Sequence, residues 1–517
     1  MVTGTVFSPQ SLSLFTARPV VSYAVGTHGL AQSCAPSLQF PQGSDYENAN
    51  IAAALRAGYS VLVSDYAGYT TGSSPTYLAG ISQAHAVLDI VKAAQQIPSV
   101  SDFSASAPVG VWGYSQGGQS AAWAAQLQSS YAPGLNLKGV AAGGVPANFT
   151  ETAAYLDSST GESFLLGGVI GLSTQYPNQI PLASLANPTG LAEINVGKSE
   201  CVFQSLFTFM NHSLSEYTAG NQTLTQIEAS NPAVNQVLLA QNLGQNGTTI
   251  STPMYLYHGQ ADEFIPLDQA IALKEAYCSR LASVTFDLYP GEHIVTQFQG
   301  ASRALSWLGQ RFNGNLPGNN CLEFAAAPKS TANKGGGDFV VSLQDWSLGG
   351  TVVLKTLGNT ITLPAGTMSA STDLTNKTLN GTLSIPSFPG TISVLGIPAT
   401  VDLAIVEASP ISGTVTLDNS GLLHIHGSVS ANITVTSVGE GPIQIGFGCQ
   451  TSTPVQFPLN FDGPVSALGS GALNFSGTTS FPQLTGCSIW NGLFSALMSG
   501  PGQVYNFTVT PPAPVSW

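Results

Sequence analysis

The sequence predicts two folded regions of different class, an α/β domain over residues 1–325 and an all-β, sandwich-like domain over residues 338–517. Three observations carry this reading. Apolar runs of strand length alternate with helical segments as far as Phe312, a pattern that indicates βαβ units and a mostly parallel sheet. That rhythm breaks over about 147–250, and past a small-residue linker at 326–337 helical periodicity nearly disappears. At 517 residues the chain is also too long for one ordinary core.

In chain order, residues 1–18 read as an approach segment, and Pro19 to Val25 as a buried strand. Asn48 to Ala57 reads as a helix ending at Gly58, and Tyr59 to Asp65 as the next strand. From Ile81 the apolar positions Ala84, Val87, Leu88, Val91 and Ala94 follow helical spacing. A strand from Pro108 to Trp112, a small-residue helix from Gly118 and a short strand near Lys138 to Ala142 follow. The stretch 147–250, rich in Leu, Phe, Asn and Gln, reads as a helical cap inserted into the domain. Sheet rhythm returns with Pro253 to Tyr257 and Val284 to Leu288, separated by a helix from Asp268 to Leu281 and closed by one from Ala301 to Phe312. Beyond the linker, short alternating runs such as Val401 to Ile405, Thr414 to Leu417 and Ile433 to Val435 are punctuated by Gly, Pro or Asn, as in a sandwich or barrel.

Composition excludes several classes. Hydrophobic residues make up 43% and mean hydropathy is positive, which argues against disorder. No apolar run approaches the ~20 residues of a membrane span. Only 8% of residues are charged and the net charge is −14, a poor match to the basic surfaces that bind nucleic acid. Six cysteines without CxxC spacing point to disulfides and an oxidising compartment, with about 15 pairings open. The hydroxyl-rich, weakly charged composition suits a secreted protein. No signal peptide is visible, and Met1 is read as an added start or the start of the processed form.

The chemistry centres on Gly113-Tyr114-Ser115-Gln116-Gly117, between an apolar run and a small-residue helix. A serine at a sharp strand-to-helix turn is lifted clear of the sheet, with glycines two positions away to relieve crowding. Such a nucleophile needs a base, and an acid to hold the base's tautomer. In chain order, Asp262 and then His293 sit in loops immediately after strands, where an open α/β sheet gathers its reactive groups. Glu263 and Asp268 are the lesser candidates for the acid. Among the seven histidines, His85 falls in a helix, His212 in the cap, and His424 and His426 in the β domain, whereas His28 and His258 have the wrong order or role. His424 and His426 share one strand face, the beginning of a metal site that nothing nearby completes, so no metal or cofactor is expected. The nine Asn-x-Ser/Thr sequons, Asn246 among them, carry glycans only in a eukaryotic secretory pathway.

These three segments, His258-Gly259-Gln260-Ala261-Asp262 with Pro266, Gly291-Glu292-His293 and the Ser115 pentapeptide, resemble the secretory lipase family of fungi and actinobacteria. Cys34-Ala35-Pro36-Ser37 resembles the same family. The resemblance covers roughly residues 1–325 and implies an α/β-hydrolase fold with Ser115, Asp262 and His293 as triad, acting on carboxylic esters, often long-chain acylglycerols. It also implies Cys34–Cys201 and Cys278–Cys321 disulfides, which leaves Cys449 with Cys487. One oxyanion donor is expected to be the backbone N–H of Gln116. The other is sought in Thr27-His28-Gly29, where the chain departs from members with His-Gly-Thr or an acidic side chain; His28 and Gly29 are the candidates. The β domain resembles domains appended to secreted actinobacterial proteins.

The expected function is therefore a secreted serine ester hydrolase, most simply a triacylglycerol lipase working on ester or lipid substrate, in places at an interface. A short-chain carboxylesterase or an aliphatic polyester depolymerase would use the same site. A non-catalytic surface-binding protein is the alternative of another class.

Overall fold

A computed structural model describes all residues except 1, 11–16, 98–102, 246, 323–325, 333–336, 357, 395–396 and 439–447. The sequon at Asn246, Met1 and residues 333–336 of the expected linker lie outside the described residues. The chain forms two compact units, one of residues 1–337, 419–421 and 513–517 and one of 338–418 and 422–512.

The first unit is built on a sheet of strands β1 (Val2–Phe7), β2 (Val20–Ala24), β3 (Ser60–Ala67), β4 (Val109–Tyr114), β5 (Leu137–Gly143), β6 (Met254–Gly259) and β7 (Val284–Tyr289). The order is β1-β3-β2-β4-β5-β6-β7, with the C-terminal strand Val515–Ser516 at the far edge. The inner strands run parallel, and β2, β4, β6 and β7 are buried along their whole length, as a sheet covered on both faces requires. Helices Asn48–Arg56, Gly80–Ala94, Gln116–Tyr131, Leu267–Cys278 and Ala301–Phe312 cover it. Helix Gly80–Ala94 buries Ala84, Val87, Leu88, Val91 and Ala94, the stripe read from spacing, while Ile81 at its start is exposed.

Between β5 and β6 the sheet rhythm stops because the chain is helical. Helices Phe149–Leu156, Glu162–Gln175, Pro188–Gly197, Val202–Phe209, Leu224–Ser230 and Pro232–Leu239 make the inserted cap. Asn148, Asn187 and Thr223 cap three of them with side-chain oxygens, which satisfies N–H groups that have no partner inside a helix. Disulfides join Cys34 to Cys201, Cys278 to Cys321 and, in the second unit, Cys449 to Cys487.

Both edges of the sheet differ from the sequence reading. Val2–Phe7, read as an approach segment, is an antiparallel strand on β3. Residues 513–517, assigned by sequence to the β domain, belong to the first unit: Val515–Ser516 pairs antiparallel with β7, and the Trp517 N–H donates to the Phe286 carbonyl at 3.0 Å. Short edge strands that pair with distant partners carry almost no local signal.

The second unit is all-β. Strands β8 (Val340–Leu354), β9 (Asn359–Asp373), β10 (Thr378–Ser384), β11 (Phe388–Val394), β12 (Ile397–Leu417), β13 (Leu422–Val438), β14 (Gln450–Thr451), β15 (Val455–Pro464), β16 (Leu473–Phe481), β17 (Leu484–Thr485) and β18 (Gly500–Thr510) form one antiparallel sheet. It follows the order β16-β18-β8-β9-β10-β12-β13-β14-β17, with β11 on β12 and β15 on β13. Alternation puts Val341, Leu343, Trp346 and Leu348 on the buried face of β8, facing a core that includes Phe457, Tyr505 and Phe507.

The Trp517 ring packs edge-on to Phe286 at 5.7 Å between centroids and lies 3.9 Å from Lys274 Nζ. Trp517→Ala should therefore lower stability by about 2–3 kcal/mol, read as a lower urea midpoint of the sheet unit.

Candidate active site

Strand β4 ends at Tyr114 and a helix begins at Gln116, so Ser115 makes the whole reversal alone, at φ 57° and ψ −122°. A non-glycine residue at positive φ is strained and persists only where its surroundings over-determine it. Here the Ser115 N–H donates to the Gly143 carbonyl of β5 at 2.9 Å, and its carbonyl accepts the Gln119 N–H at 2.9 Å. The flanking glycines are steric necessities. A side-chain carbon on Gly117 would be driven into the Ala24 carbonyl, and one on Gly113 into the Gly117 carbonyl. Gln116 is the first residue of the helix, so its N–H has no intrahelical acceptor and is available to an anion.

Asp262 follows β6 in a buried turn. Its Oδ1 accepts the Phe264 and Ile265 N–H groups at 3.0 and 2.7 Å, which leaves Oδ2 for the His293 ring, whose Nδ1 is 2.7 Å away. Burial by itself would raise this carboxyl. The charge and hydrogen bond of His293, the charge of His258 and the Ile265 N–H together hold it below the ordinary carboxylate range. His293 opens the helix that follows β7. Its backbone N–H donates to Glu263 Oε2 at 2.9 Å. Burial, with the neighbouring Asp262 charge, pushes Glu263 well above the ordinary carboxylate range, the opposite direction from Asp262.

Ser115 and His293 line one cavity. Phe164, Val202, Phe203 and Leu206 of the cap form its apolar wall, with Phe264 and Ile294 beside the histidine. Thr27, Tyr46 and Gln297 supply its remaining polar lining.

His28 is in this neighbourhood, but its imidazole is committed elsewhere. Nδ1 is 3.0 Å from the Gly26 carbonyl and Nε2 2.9 Å from Asp45 Oδ2, with the ring fully buried. Burial alone would lower the imidazole; the charge and hydrogen bond of Asp45, with Glu47, raise it to about 9. Thr27 is the loop residue that lines the cavity, and Gly29 faces Cys201 across a short antiparallel bridge. The cap grips this loop: Val202 N–H donates to the His28 carbonyl at 3.0 Å, Leu30 N–H to the Glu200 carbonyl at 3.1 Å, and Cys34 is bonded to Cys201.

The other candidates lie apart. Asp268 is exposed in the first turn of its helix. His258 is buried behind Asp262, its Nε2 3.0 Å from the Ile265 carbonyl and 3.6 Å from the Asp262 Oδ2, and burial lowers its pKa. His85 stacks on Tyr131 and His212 pairs with Glu216. His424 Nδ1 lies 2.6 Å from Asp462 and His426 Nε2 3.6 Å from the same carboxylate. Among the described residues, no group of three or more His, Cys, Asp or Glu is arranged to hold a metal. The sequence reading missed Asp45, Tyr46, Glu47 and Gln297. An acidic pair just ahead of a helix was the only available signal for the first three, and it reads locally as a helix start.

Three comparisons bear on this geometry. Residues 41–320, more than half of the chain, match the family model for secretory lipases. Lipase 10 of Candida albicans is 33% identical over 281 residues, covering 52% of this chain and 58% of that protein. Lipase 2 of the same yeast is 30% identical over 323 residues, 58% of this chain and 67% of its own length. This chain thus spans only about three-fifths to two-thirds of these relatives. Among solved structures, Candida antarctica lipase A in its closed state superposes with a TM-score of 0.55 at 24% identity, over 64% of this chain and 76% of that one, a likeness of fold. With the elbow, the helical cap and the family match falling on the same α/β unit, the chain belongs to the secretory lipase family.

Proposed function

We propose that this protein is a secreted carboxylic ester hydrolase whose triad is Ser115, Asp262 and His293. The observation that carries the reading is a serine held at positive φ on a strand-to-helix turn, lining one cavity with a histidine whose Nδ1 lies 2.7 Å from a buried carboxylate. In this reading Ser115 Oγ attacks the ester carbonyl while His293 Nε2 takes its proton and then delivers it to the leaving alcohol. A water molecule, activated by the same imidazole, releases the acid. Asp262, ionised, fixes the tautomer and stabilises the imidazolium. The Gln116 N–H and a donor from the loop Thr27 to Gly29 hold the oxyanion.

Long-chain acylglycerols are the proposed preferred substrates. The cavity wall is aromatic and aliphatic, and a second cavity within the cap is lined by Leu166, Val169, Ile180, Leu185, Ile194 and Leu238 among other apolar groups, a surface suited to alkyl chains. A relative from Malassezia furfur, 27% identical over 305 residues, is described as a secreted triacylglycerol lipase.

Ser115→Ala should lower ester turnover by at least about 10⁴-fold with an unchanged circular dichroism spectrum, and an alkyl phosphonate should label the unchanged protein only. Ester turnover surviving in Ser115→Ala would refute the nucleophile. Asp262→Asn should cost about 10⁴ in kcat with little change in KM, because the amide cannot hold the same tautomer. On p-nitrophenyl esters from acetate to palmitate, turnover should rise with chain length, and Val169→Trp should lower palmitate relative to butyrate turnover by about tenfold. Activity confined to short chains would replace the lipase reading with a short-chain esterase, for which a polyester film is the next substrate.

A further inference from the structure

Three consecutive side chains outside the triad reach three consecutive residues of the loop that is to supply the second oxyanion donor. Asp45 Oδ2 lies 2.9 Å from the ring Nε2 of His28. The Tyr46 hydroxyl donates to the Thr27 carbonyl at 3.0 Å. Glu47 Oε2 accepts the Gly26 N–H at 2.9 Å. The segment is itself braced, since Asp45 Oδ1 accepts the Glu47 N–H at 2.8 Å and the helix Asn48–Arg56 starts directly after it.

Glu47 sits at the N-cap of that helix, where an acidic side chain ordinarily bonds the helix's own free N–H groups. It makes no such bond. Its carboxylate is fully buried and turned the other way. Oε1 accepts the Tyr23 hydroxyl at 2.8 Å and the Gln297 Nε2 amide at 2.5 Å, and Tyr23 in turn accepts from Asn50. Gln297 lies one helical turn after His293 on the same short helix and lines the cavity with Tyr46. One carboxylate thus touches both the loop after β2 and the helix after β7, which approach Ser115 from strands on either side of β4 in the sheet. Burying a carboxylate away from water is costly unless donors surround it, and three donors surround this one.

We infer that Asp45-Tyr46-Glu47 is a positioning clamp, in which Glu47 sets the distance between the oxyanion loop and the His293 helix. This rests on the ester-hydrolase reading of the site. The clamp touches no reacting atom. It acts by holding two catalytic elements in register, so its loss appears in the chemical step, where a displacement of about 1 Å can reduce rate about a hundredfold. Substrate binding by the apolar cavity wall is left in place. Tyr46 extends the clamp toward the cap, its ring 4.9 Å from His28 and edge-on to Phe203 at 5.4 Å.

The test is steady-state hydrolysis of p-nitrophenyl butyrate by the full chain, with phosphonate titration to count active sites and thermal unfolding to count folded protein. Glu47→Gln should lower kcat per titrated site by about ten- to a hundredfold with KM within about twofold, and should slow phosphonate labelling in parallel. Tyr46→Phe, which removes only the hydroxyl, should lower kcat less and in the same sense, and it carries the test if Glu47→Gln does not fold. A kcat per titrated site equal to that of the unchanged protein in whichever variant folds would overturn the clamp while leaving the ester-hydrolase reading intact. A loss confined to KM would also overturn it. No phosphonate-sensitive hydrolysis by the unchanged protein would overturn the reading itself, and the clamp with it.

Discussion

The backbone at Ser115 is the constraint on which the rest of the α/β unit depends. To hold a serine at φ 57° between a buried strand and a helix, the ends of three strands must close on it. Gly143 of β5 accepts its N–H, and Ala24 at the end of β2 presses its carbonyl against Gly117. Only hydrogen on the α-carbon fits there. The same crowding aligns the C-terminal ends of β2, β4 and β5, and it is from such strand ends that an open parallel sheet presents its reactive groups. The strain at one residue is thus supported by the whole sheet.

Around this turn, burial separates the roles of chemically similar groups. Asp262 and Glu263 are adjacent carboxyls, yet one is drawn below the usual range by the surrounding imidazoles and backbone donors while the other is pushed well above it. Two histidines face Asp262, but His258 is sealed in the core with its Nε2 toward the Ile265 carbonyl, so only His293 opens on the cavity. On the other flank, Asp45 and His28 form a buried ion pair and Glu47, raised by its burial to about 7, completes a second polar cluster. Neighbouring environments rather than residue types decide which group is charged.

The cap is attached to the loop Thr27 to Leu30 by backbone hydrogen bonds and by the Cys34–Cys201 disulfide. Its helix Val202–Phe209 brings Phe203 and Leu206 to the wall of the cavity. The apolar cavity wall and the loop Thr27 to Leu30 therefore share one anchor.

Much of this was legible in the sequence because it is local. A glycine-flanked serine between a strand and a small-residue helix, an aspartate and a histidine in loops after later strands, and a long interruption of sheet rhythm are signals written within a few residues of one another. They determined the α/β unit, its helical cap, the all-β unit and the candidates Ser115, Asp262 and His293. Tertiary structure decided what depends on distant neighbours. Val2–Phe7 and Val515–Ser516 become strands only because exposed sheet edges accept them. His28, at a strand end, turns its ring to Asp45 rather than to the cavity, and Thr27 takes the lining position. Glu47 and Gln297 are far apart in sequence and meet only once β2, β4 and β7 are packed. Periodicity and turn chemistry act over one or two turns of chain, whereas side-chain direction, ionisation and pairing follow from burial among residues that the fold alone brings together.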